Sequence, residues 1–293
     1  MNKLSIALWA VCLSLGFAVA MAGGVLCQEQ LLFSPGHESI TAAFHQFSTL
    51  IVGNWHHYGS LFVKWQPVLF RNIFFWTIVC LPLIFLLHYL AIGPKSFSHE
   101  KGEVFYFGVF TRVIHWVAAI FFSLLVLTGL MMVFGELFGG GAFVRFARDV
   151  HIVSALIFAI DAPIMFFIWV KDMFPMPYDL KWLFMMGGYL SKAKRPVPAG
   201  RFNAGQKMWF WLSTLGGGYM AWTGYQIFSF GVETEALRLD AIIHNFLGAV
   251  LAGFFIIHLY MSLLAIKGSL RSMLTGYKPR EEVEILHSRY NAD

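Results

Sequence analysis

The chain has 293 residues, of which 58% are hydrophobic, 17% aromatic and only 13% charged. Soluble domains contain about 25% charged residues, so this composition excludes an ordinary soluble protein and predicts one that lies in lipid. The net charge of +5 is spread over several loops rather than gathered in one patch, which argues against a nucleic-acid partner.

The N-terminal region predicts a targeting or anchoring segment. One basic residue, Lys3, precedes an apolar stretch at 4–20 and the small-residue sequence Ala-Met-Ala-Gly-Gly at 20–24. This order is typical of a secretory signal peptide, and an uncleaved anchor helix has the same features, so both remain open for residues 1–22. The polar stretch 23–68 is expected to lie outside the cytoplasm, packed on the outer face of the bundle or on a partner subunit.

Five apolar runs are long enough to cross a hydrocarbon core of about 30 Å, which needs about 20 helical residues. They cover 73–92, 113–134, 150–170, 208–231 and 241–266, and only Asp161 interrupts one of them with a charge. Only structures that satisfy their own backbone can span lipid. The predicted fold class is therefore an all-α integral membrane protein, with a four-helix bundle and one or two extra N-terminal transmembrane helices.

Lysine and arginine residues predict the orientation of these helices. Segments 93–112, 171–207 and 267–293 contain 15 of the 21 Lys and Arg residues. Loops rich in these residues stay in the cytoplasm, so the three segments and the C-terminus are expected there. The chain is thus predicted to be a multi-pass protein of a bacterial cytoplasmic (inner) membrane.

Five of the eleven histidines lie in or beside the apolar runs: His88, His115, His151, His244 and His258. His244 and His258 are 14 residues apart on one predicted helix, a rise of about 21 Å, so they face the same way near opposite membrane surfaces. His115 starts the helix that leaves the cytoplasm, and His151 starts the helix that returns. Depth therefore pairs His115 with His258 on the cytoplasmic side and His151 with His244 on the outer side.

Two opposed pairs of histidines at two depths indicate bis-histidine haem ligation. Neutral imidazole is a suitable axial ligand of haem iron, so we expect two b-type haems with these four histidines as the iron ligands. The cysteines at 12, 27 and 80 form no CxxC or CxxCH motif, which excludes a c-type haem and a cysteine-ligated iron–sulfur cluster in this chain. Any cluster must belong to a partner.

Small residues follow each predicted ligand by about one turn, where a flat porphyrin needs space. They are Ala118, Ala119, Ser154, Ala155, Gly248 and Ser262. Such residues also favour ordinary helix packing in membranes. Three arginines near the ligands, Arg112, Arg145 and Arg148, are candidate partners of haem propionates or simple interfacial charges.

Two other polar residues in the apolar runs have open roles. His88 has no histidine at a matching depth, so a packing role is favoured over ligation. Asp161 lies inside its run and is followed by Pro163. An acid at this depth usually faces a cavity or a polar partner, so both a proton path and a local hydrogen bond remain open.

Several short sequences resemble the membrane cytochrome b (gamma) subunit of respiratory formate dehydrogenases, within a wider group that includes the cytochrome b subunits of nickel–iron hydrogenases. The resemblance covers about residues 108–280. It rests on Arg-Val-Ile-His-Trp at 112–116, Arg-Asp-Val-His at 148–151, Arg-Phe-Asn-Ala-Gly-Gln-Lys-Met at 201–208, His-Leu-Tyr-Met at 258–261 and Lys-Gly-Ser-Leu at 267–270. The Asn-Ala-Gly-Gln-Lys sequence favours the formate dehydrogenase branch.

The resemblance implies a cofactor set and a role for further residues. It assigns the same histidine pairs to the two haems, and it places menaquinone beside the cytoplasmic haem at Asn203, Gly205 and Gln206. Formate would be oxidised outside by a molybdenum- or tungsten-containing subunit, not by this chain. Electrons would then pass through an iron–sulfur subunit and both haems of a b556-type cytochrome to the quinone, as in anaerobic respiration.

The same residues leave other functions open. A hydrogenase or a thiosulfate or polysulfide reductase could replace formate dehydrogenase as the partner, and a histidine-containing transporter is an alternative from another class. The expected organisation is a signal or anchor at 1–22, an outer segment at 23–68, an extra transmembrane helix and loop at 69–107, the di-haem four-helix domain at 108–280, and a cytoplasmic tail at 281–293.

Overall fold

A computed structural model describes residues 58–229 and 232–291. The proposed signal or anchor segment 1–22, and most of the segment 23–68, lie outside the described residues. The helices are α1 (Tyr58–Ala91), α2 (Val109–Val133), α3 (Gly141–Trp169), α4 (Pro177–Phe184), α5 (Ala204–Trp211), α6 (Gly217–Ser229), α7 (Thr234–Tyr260), α8 (Arg271–Thr275) and α9 (Arg280–Leu286). Strands β1 (Glu103–Phe105) and β2 (Tyr277–Pro279) pair antiparallel.

Within residues 58–229 and 232–291, four helical segments are long and apolar enough to cross a membrane. They are Tyr58–Ala91, Val109–Val133, Gly141–Asp172 and Thr234–Ala265. This confirms the all-α membrane fold class, to which the structure adds the short β1–β2 pair. The first of these helices begins at Tyr58 and includes residues 58–68 of the predicted outer segment, because a π-helical turn at Trp65–Phe70 continues the helix through Pro67.

The predicted span at 208–231 is less apolar than the others and is not among these four. It is helical up to Ser229, because the π-helical turn Leu212–Gly216 joins α5 to α6. Its buried hydroxyls donate within the helix, as Thr214 Oγ1 does to the Phe210 carbonyl at 2.6 Å, which lowers the cost of burying them. The helix packs against α3 and α7 and is therefore part of the bundle.

Packing between neighbours defines the bundle order. Helix α2 packs along α3, α3 contacts α6, α6 packs along α7, and α7 packs against α1. Aromatic rings fill the centre, where Phe122 of α2 contacts both Phe158 of α3 and Phe255 of α7 at ring-centre distances of 5.4 and 5.2 Å. Helices α2 and α7 thus face each other through their side chains.

Helix α1 contacts α7 near both of its ends. The Asn245 side chain donates to Gln66 Oε1 at 3.1 Å, and His88 lies 2.5 Å from the Tyr260 hydroxyl. Because Asn245 and Tyr260 are close in sequence to His244 and His258, α1 supports the helix that carries two of the predicted ligands.

The three segments rich in Lys and Arg meet at one end of the bundle, in a region we call the polar cap (92–108, 171–203 and 266–291). Strand β1 pairs with β2, the Lys95 amide donates to the Ala265 carbonyl, and the Val197 amide donates to the Ile285 carbonyl at 2.7 Å. A single end for all three segments agrees with the topology predicted from their charges.

The predicted cytoplasmic tail, 281–293, packs into the polar cap as far as residue 291, the last that the structure describes. Helix α9 buries Glu282, Val283 and Leu286. Glu282 forms a buried ion pair with Lys278 at 2.5 Å. The next residue after the helix, His287, is only 2% exposed. Apolar and charged side chains of the tail are therefore both buried in the cap.

We predict that the polar cap loses stability in mild acid through His287. Its Nδ1 lies 2.8 Å from the Gly200 carbonyl, and burial, with the Lys278 charge, lowers the pKa of His287 from 6.5 to about 3. The neutral ring therefore stabilises the fold above about pH 6.5, and this contribution is lost as the pH falls towards 3. Thermal unfolding midpoints between pH 7.5 and 4.5 should fall in the wild type and fall less in His287→Gln.

His99→Gln is the matched control, since His99 is an exposed histidine of the same cap, paired with Glu103 at 3.2 Å. It should keep the wild-type dependence on pH. An unchanged slope in His287→Gln would contradict the prediction.

Candidate haem sites

The four predicted ligands form two close pairs. The ring centres of His115 and His258 are 6.4 Å apart, and those of His151 and His244 are 6.5 Å apart. His115 lies on α2, His151 on α3, and the other two on α7. The structure thus brings together the same pairs that depth had predicted, and their role as haem ligands stays a prediction.

The spacing of each pair fits a metal ion between two imidazoles. A metal–nitrogen bond of about 2 Å on each side places the two ring centres about 6 Å apart, close to both observed distances. The nitrogen donor set and the apolar surroundings therefore suit haem iron.

The outer pair is held by two threonines that the sequence analysis missed. Thr128 Oγ1 of α2 lies 2.9 Å from His151 Nδ1, and Thr223 Oγ1 of α6 lies 2.9 Å from His244 Nδ1. Each contact ties a histidine to the preceding helix of the bundle. A repeated Thr-Gly dipeptide, 21 to 23 residues before each histidine, is the signal that could have found them.

The glycines of these dipeptides make room for the imidazoles. A methyl group on Gly129 would lie 3.5 Å from His151 Cε1, and one on Gly224 would lie 3.3 Å from His244 Cε1. In contrast, a methyl group on Gly248 would meet Met220 and Phe74. Gly248 therefore serves helix packing, and the space beside the outer ligands comes from residues on the facing helices.

The inner pair is surrounded by indole rings. Trp209 stacks on His258 with ring centres 5.5 Å apart and an angle of 20°, while Trp116 and Trp169 contact His115 edge-on. The buried Nδ1 of His115 has no hydrogen-bond partner within the described part of the chain. The two pairs therefore differ in what their outward-facing nitrogens contact.

The three candidate arginines have different environments. Arg112 donates from Nη1 to the Leu274 carbonyl, and its buried Nε has no partner among the residues described. Arg148 pairs with Asp149 at 2.8 Å, and both it and Arg145 are exposed. Arg112 is thus the best placed of the three to meet a negative group beside the inner pair.

His88 and Asp161 have contrasting surroundings. Both ring nitrogens of His88 have partners, with Nδ1 at the Tyr260 hydroxyl and Nε2 2.9 Å from the Tyr189 carbonyl, which favours the packing role. Asp161 is buried in α3, and its Oδ2 has no hydrogen-bond partner in the described ranges. A local hydrogen bond at this oxygen is therefore not observed.

The residues predicted to bind quinone form the start of α5. Asn203 caps the helix by accepting from the Gln206 amide at 3.0 Å, and the Gln206 side chain accepts from the Asn203 amide at 2.9 Å. This reciprocal capping explains the Asn-x-x-Gln pattern and leaves both side-chain NH2 groups as donors. Trp209, one turn after Gln206, stacks on His258. The start of α5 therefore lies within one helical turn of a residue that contacts the inner pair.

A buried ion pair fixes α5 to α4. Lys207 Nζ lies 2.7 Å from Asp179 Oδ2, and both side chains are at least nine-tenths buried. Beside it, Trp182 of α4 contacts Gly205, where a methyl group would come within 3.0 Å of the indole. The sequence predicts Lys207 as a loop charge and a motif residue, and the structure adds a buried ion pair that joins two helices.

Comparison with known proteins places these residues in a family context. A family model described as prokaryotic cytochrome b561 matches residues 106–276. The cytochrome b556(Fdn) subunit of a nitrate-inducible formate dehydrogenase from Escherichia coli (strain K12) is 28% identical over 192 residues, which cover 61% of this chain and 86% of that relative. A formate dehydrogenase cytochrome b556 subunit from Haemophilus influenzae is 25% identical, over 57% of this chain and 73% of the relative.

We predict that Lys207→Met destabilises the protein by about 3–5 kcal/mol, because it leaves the Asp179 carboxylate buried without its cation. The thermal unfolding midpoint in detergent should fall clearly. Lys101→Met is the matched control, since it breaks an ion pair with Glu284 in which both side chains are about half exposed and water replaces the partner. Equal unfolding midpoints for the two variants would contradict the prediction.

Proposed function

Because the chain belongs to the prokaryotic cytochrome b561 family, we propose that it is the haem-carrying membrane subunit of a formate dehydrogenase. The observation that carries this proposal is the pair of opposed imidazole sites, 6.4 and 6.5 Å between ring centres, inside a bundle of membrane-spanning helices. Membership of a cytochrome b family supports haem b as the cofactor. The relatives named as formate dehydrogenase subunits favour formate over hydrogen or polysulfide, and membership of the family argues against a transporter.

In this proposal, His151 and His244 hold the outer haem, and His115 and His258 hold the inner one. Haem supplies one-electron redox chemistry when bound, and the protein supplies ligands, burial and orientation. The helices keep the two pairs at different depths because His244 and His258 are separated by 14 residues of α7. The chain thereby holds two redox sites along one path across the bilayer.

The start of α5 is the proposed site for menaquinone. The amide NH2 groups of Asn203 and Gln206 can donate to a quinone carbonyl, because their oxygen atoms form the helix cap. Gly205 has no side chain that would occupy the space at the helix start. Trp209 stacks on His258 and so links the helix start to the inner pair. The backbone groups at a helix N-terminus add further donors. The chain would accept electrons from an iron–sulfur subunit outside and deliver them to the quinone at the polar cap.

Partners and topology follow from the same proposal. A molybdenum- or tungsten-containing subunit oxidises formate outside the cytoplasm, and an iron–sulfur subunit docks on the face near His151 and His244. The polar cap and the C-terminus lie on the cytoplasmic side of the inner membrane. Residues 108–280 are the di-haem domain, with α9 completing its cap, and α1 is an added helix that supports α7.

Haem content tests the ligand assignment. His244→Ala should remove one b haem from the purified complex, and His258→Ala should remove the other, so that the ratio of haem to protein falls from two to about one in each variant. His88→Ala is the control, because this membrane histidine is bound to Tyr260 and Tyr189, and it should keep both haems. Two haems in His244→Ala would refute the assignment.

Two conservative substitutions test the quinone site without removing the helix cap. Asn203→Asp and Gln206→Glu keep the capping oxygen atoms but lose the NH2 donors. In membranes, formate should still reduce the haems at the normal rate, while reoxidation by a menaquinone analogue should slow at least tenfold, as expected for a lost hydrogen bond of about 1.5 kcal/mol.

Wild-type reoxidation in both variants would place the quinone elsewhere. A loss of haem reduction by formate would instead point to a fault in the partner contacts. Unfolding midpoints close to that of the wild type would show that the cap is intact.

A further inference from the structure

The two threonines at the outer pair are oriented by their own helices. Thr128 Oγ1 lies 2.6 Å from the Leu124 carbonyl, and Thr223 Oγ1 lies 3.1 Å from the carbonyls of Tyr219 and Met220. A hydroxyl has one proton to donate, and in each threonine that proton is directed to a backbone carbonyl of the preceding turn. The hydroxyl oxygen is therefore left as an acceptor for the histidine.

The direction of the hydrogen bond fixes the tautomer of both outer histidines. Since the threonine oxygen accepts, Nδ1 of His151 and of His244 must carry the proton and donate it. A neutral imidazole has one protonated nitrogen, so Nε2 of each ring keeps its lone pair. Thr128 and Thr223 are 5% and 0% exposed, which keeps water from replacing either contact.

Among the residues that the structure describes, His115 of the inner pair has no equivalent arrangement. Its buried Nδ1 has no hydrogen-bond partner within the described residues, and its neighbours are the rings of Trp116 and Trp169. A ligating histidine becomes more basic when its other nitrogen donates to an oxygen atom. A more basic ligand stabilises the oxidised, more positive state of a bound iron.

We propose that Thr128 and Thr223 are positioning residues that lower the reduction potential of the outer haem relative to the inner one. The inference rests on the proposed function, in which all four histidines ligate haem. The outer site, held by two donating imidazoles, is then the stronger reductant, and the inner site is the stronger oxidant. The difference in potential favours electron transfer towards the polar cap.

Redox titration of the purified complex tests this inference. The double variant Thr128→Val, Thr223→Val keeps the shape of each side chain but removes the accepting oxygen. At a fixed potential, the oxidised-to-reduced ratio of the outer haem should fall about tenfold, equivalent to an upward shift of about 59 mV for one electron. The inner haem should not shift. Electron paramagnetic resonance of the oxidised complex should show a change at one haem.

Two further variants separate this role from simple packing. Thr128→Ser with Thr223→Ser keeps the hydroxyls and should restore the wild-type potential. Thr214→Val removes a buried hydroxyl from the same stretch of chain, where it donates to Phe210 away from the histidines, and should leave both potentials unchanged.

The results distinguish failure of this inference from failure of the proposed function. Two bound haems with unchanged potentials in the double valine variant, or equal shifts of both haems, would overturn the role of the threonines. A wild-type complex without b-type haem would instead overturn the proposed function.

Discussion

Imidazole rings that face each other inside hydrocarbon are the constraint on which this structure depends. Water is absent there, so a neutral ring is favoured and a ring nitrogen without a partner costs free energy. The outer histidines place Nδ1 against a threonine, and in the proposed function Nε2 of each ring binds haem iron. This arrangement depends on the positions of the helices and on the register of α7 against α3 and α6. It also depends on the small residues that face the imidazole rings from neighbouring helices.

The depth of the pairs is set by contacts outside the pairs themselves. Helix α1 bonds to α7 next to both ligands, and the polar cap joins loops that are far apart in sequence through β1 and β2. The ion pair between Lys207 and Asp179 holds the start of α5 against α4. Movement of α7 along its axis would therefore disturb these polar contacts as well as the apolar packing.

The sequence predicts the membrane-spanning helices and the histidine pairs because both follow from distances along the chain. These are the length of each apolar run and the helical rise between His244 and His258. It missed Thr128 and Thr223, and it left open whether Gly248 serves a cofactor or helix packing, because contacts between helices depend on rotation and register that one helix does not encode. It counted Lys207 as a loop charge and a motif residue, and residues 281–293 as a cytoplasmic tail. The ion pair of Lys207 with Asp179 and the burial of α9 depend on how separate segments pack, which the local sequence does not encode.

Both threonine contacts lie within helical hairpins, which affects how the bundle assembles. Thr128 and His151 are 23 residues apart on α2 and α3, while Thr223 and His244 are 21 residues apart on α6 and α7. Each hairpin can therefore orient its own histidine as soon as its two helices meet. The opposed imidazoles, in contrast, always come from different hairpins. A cofactor bound between them would join two preformed halves, so insertion of the cofactor and closure of the bundle become a single event.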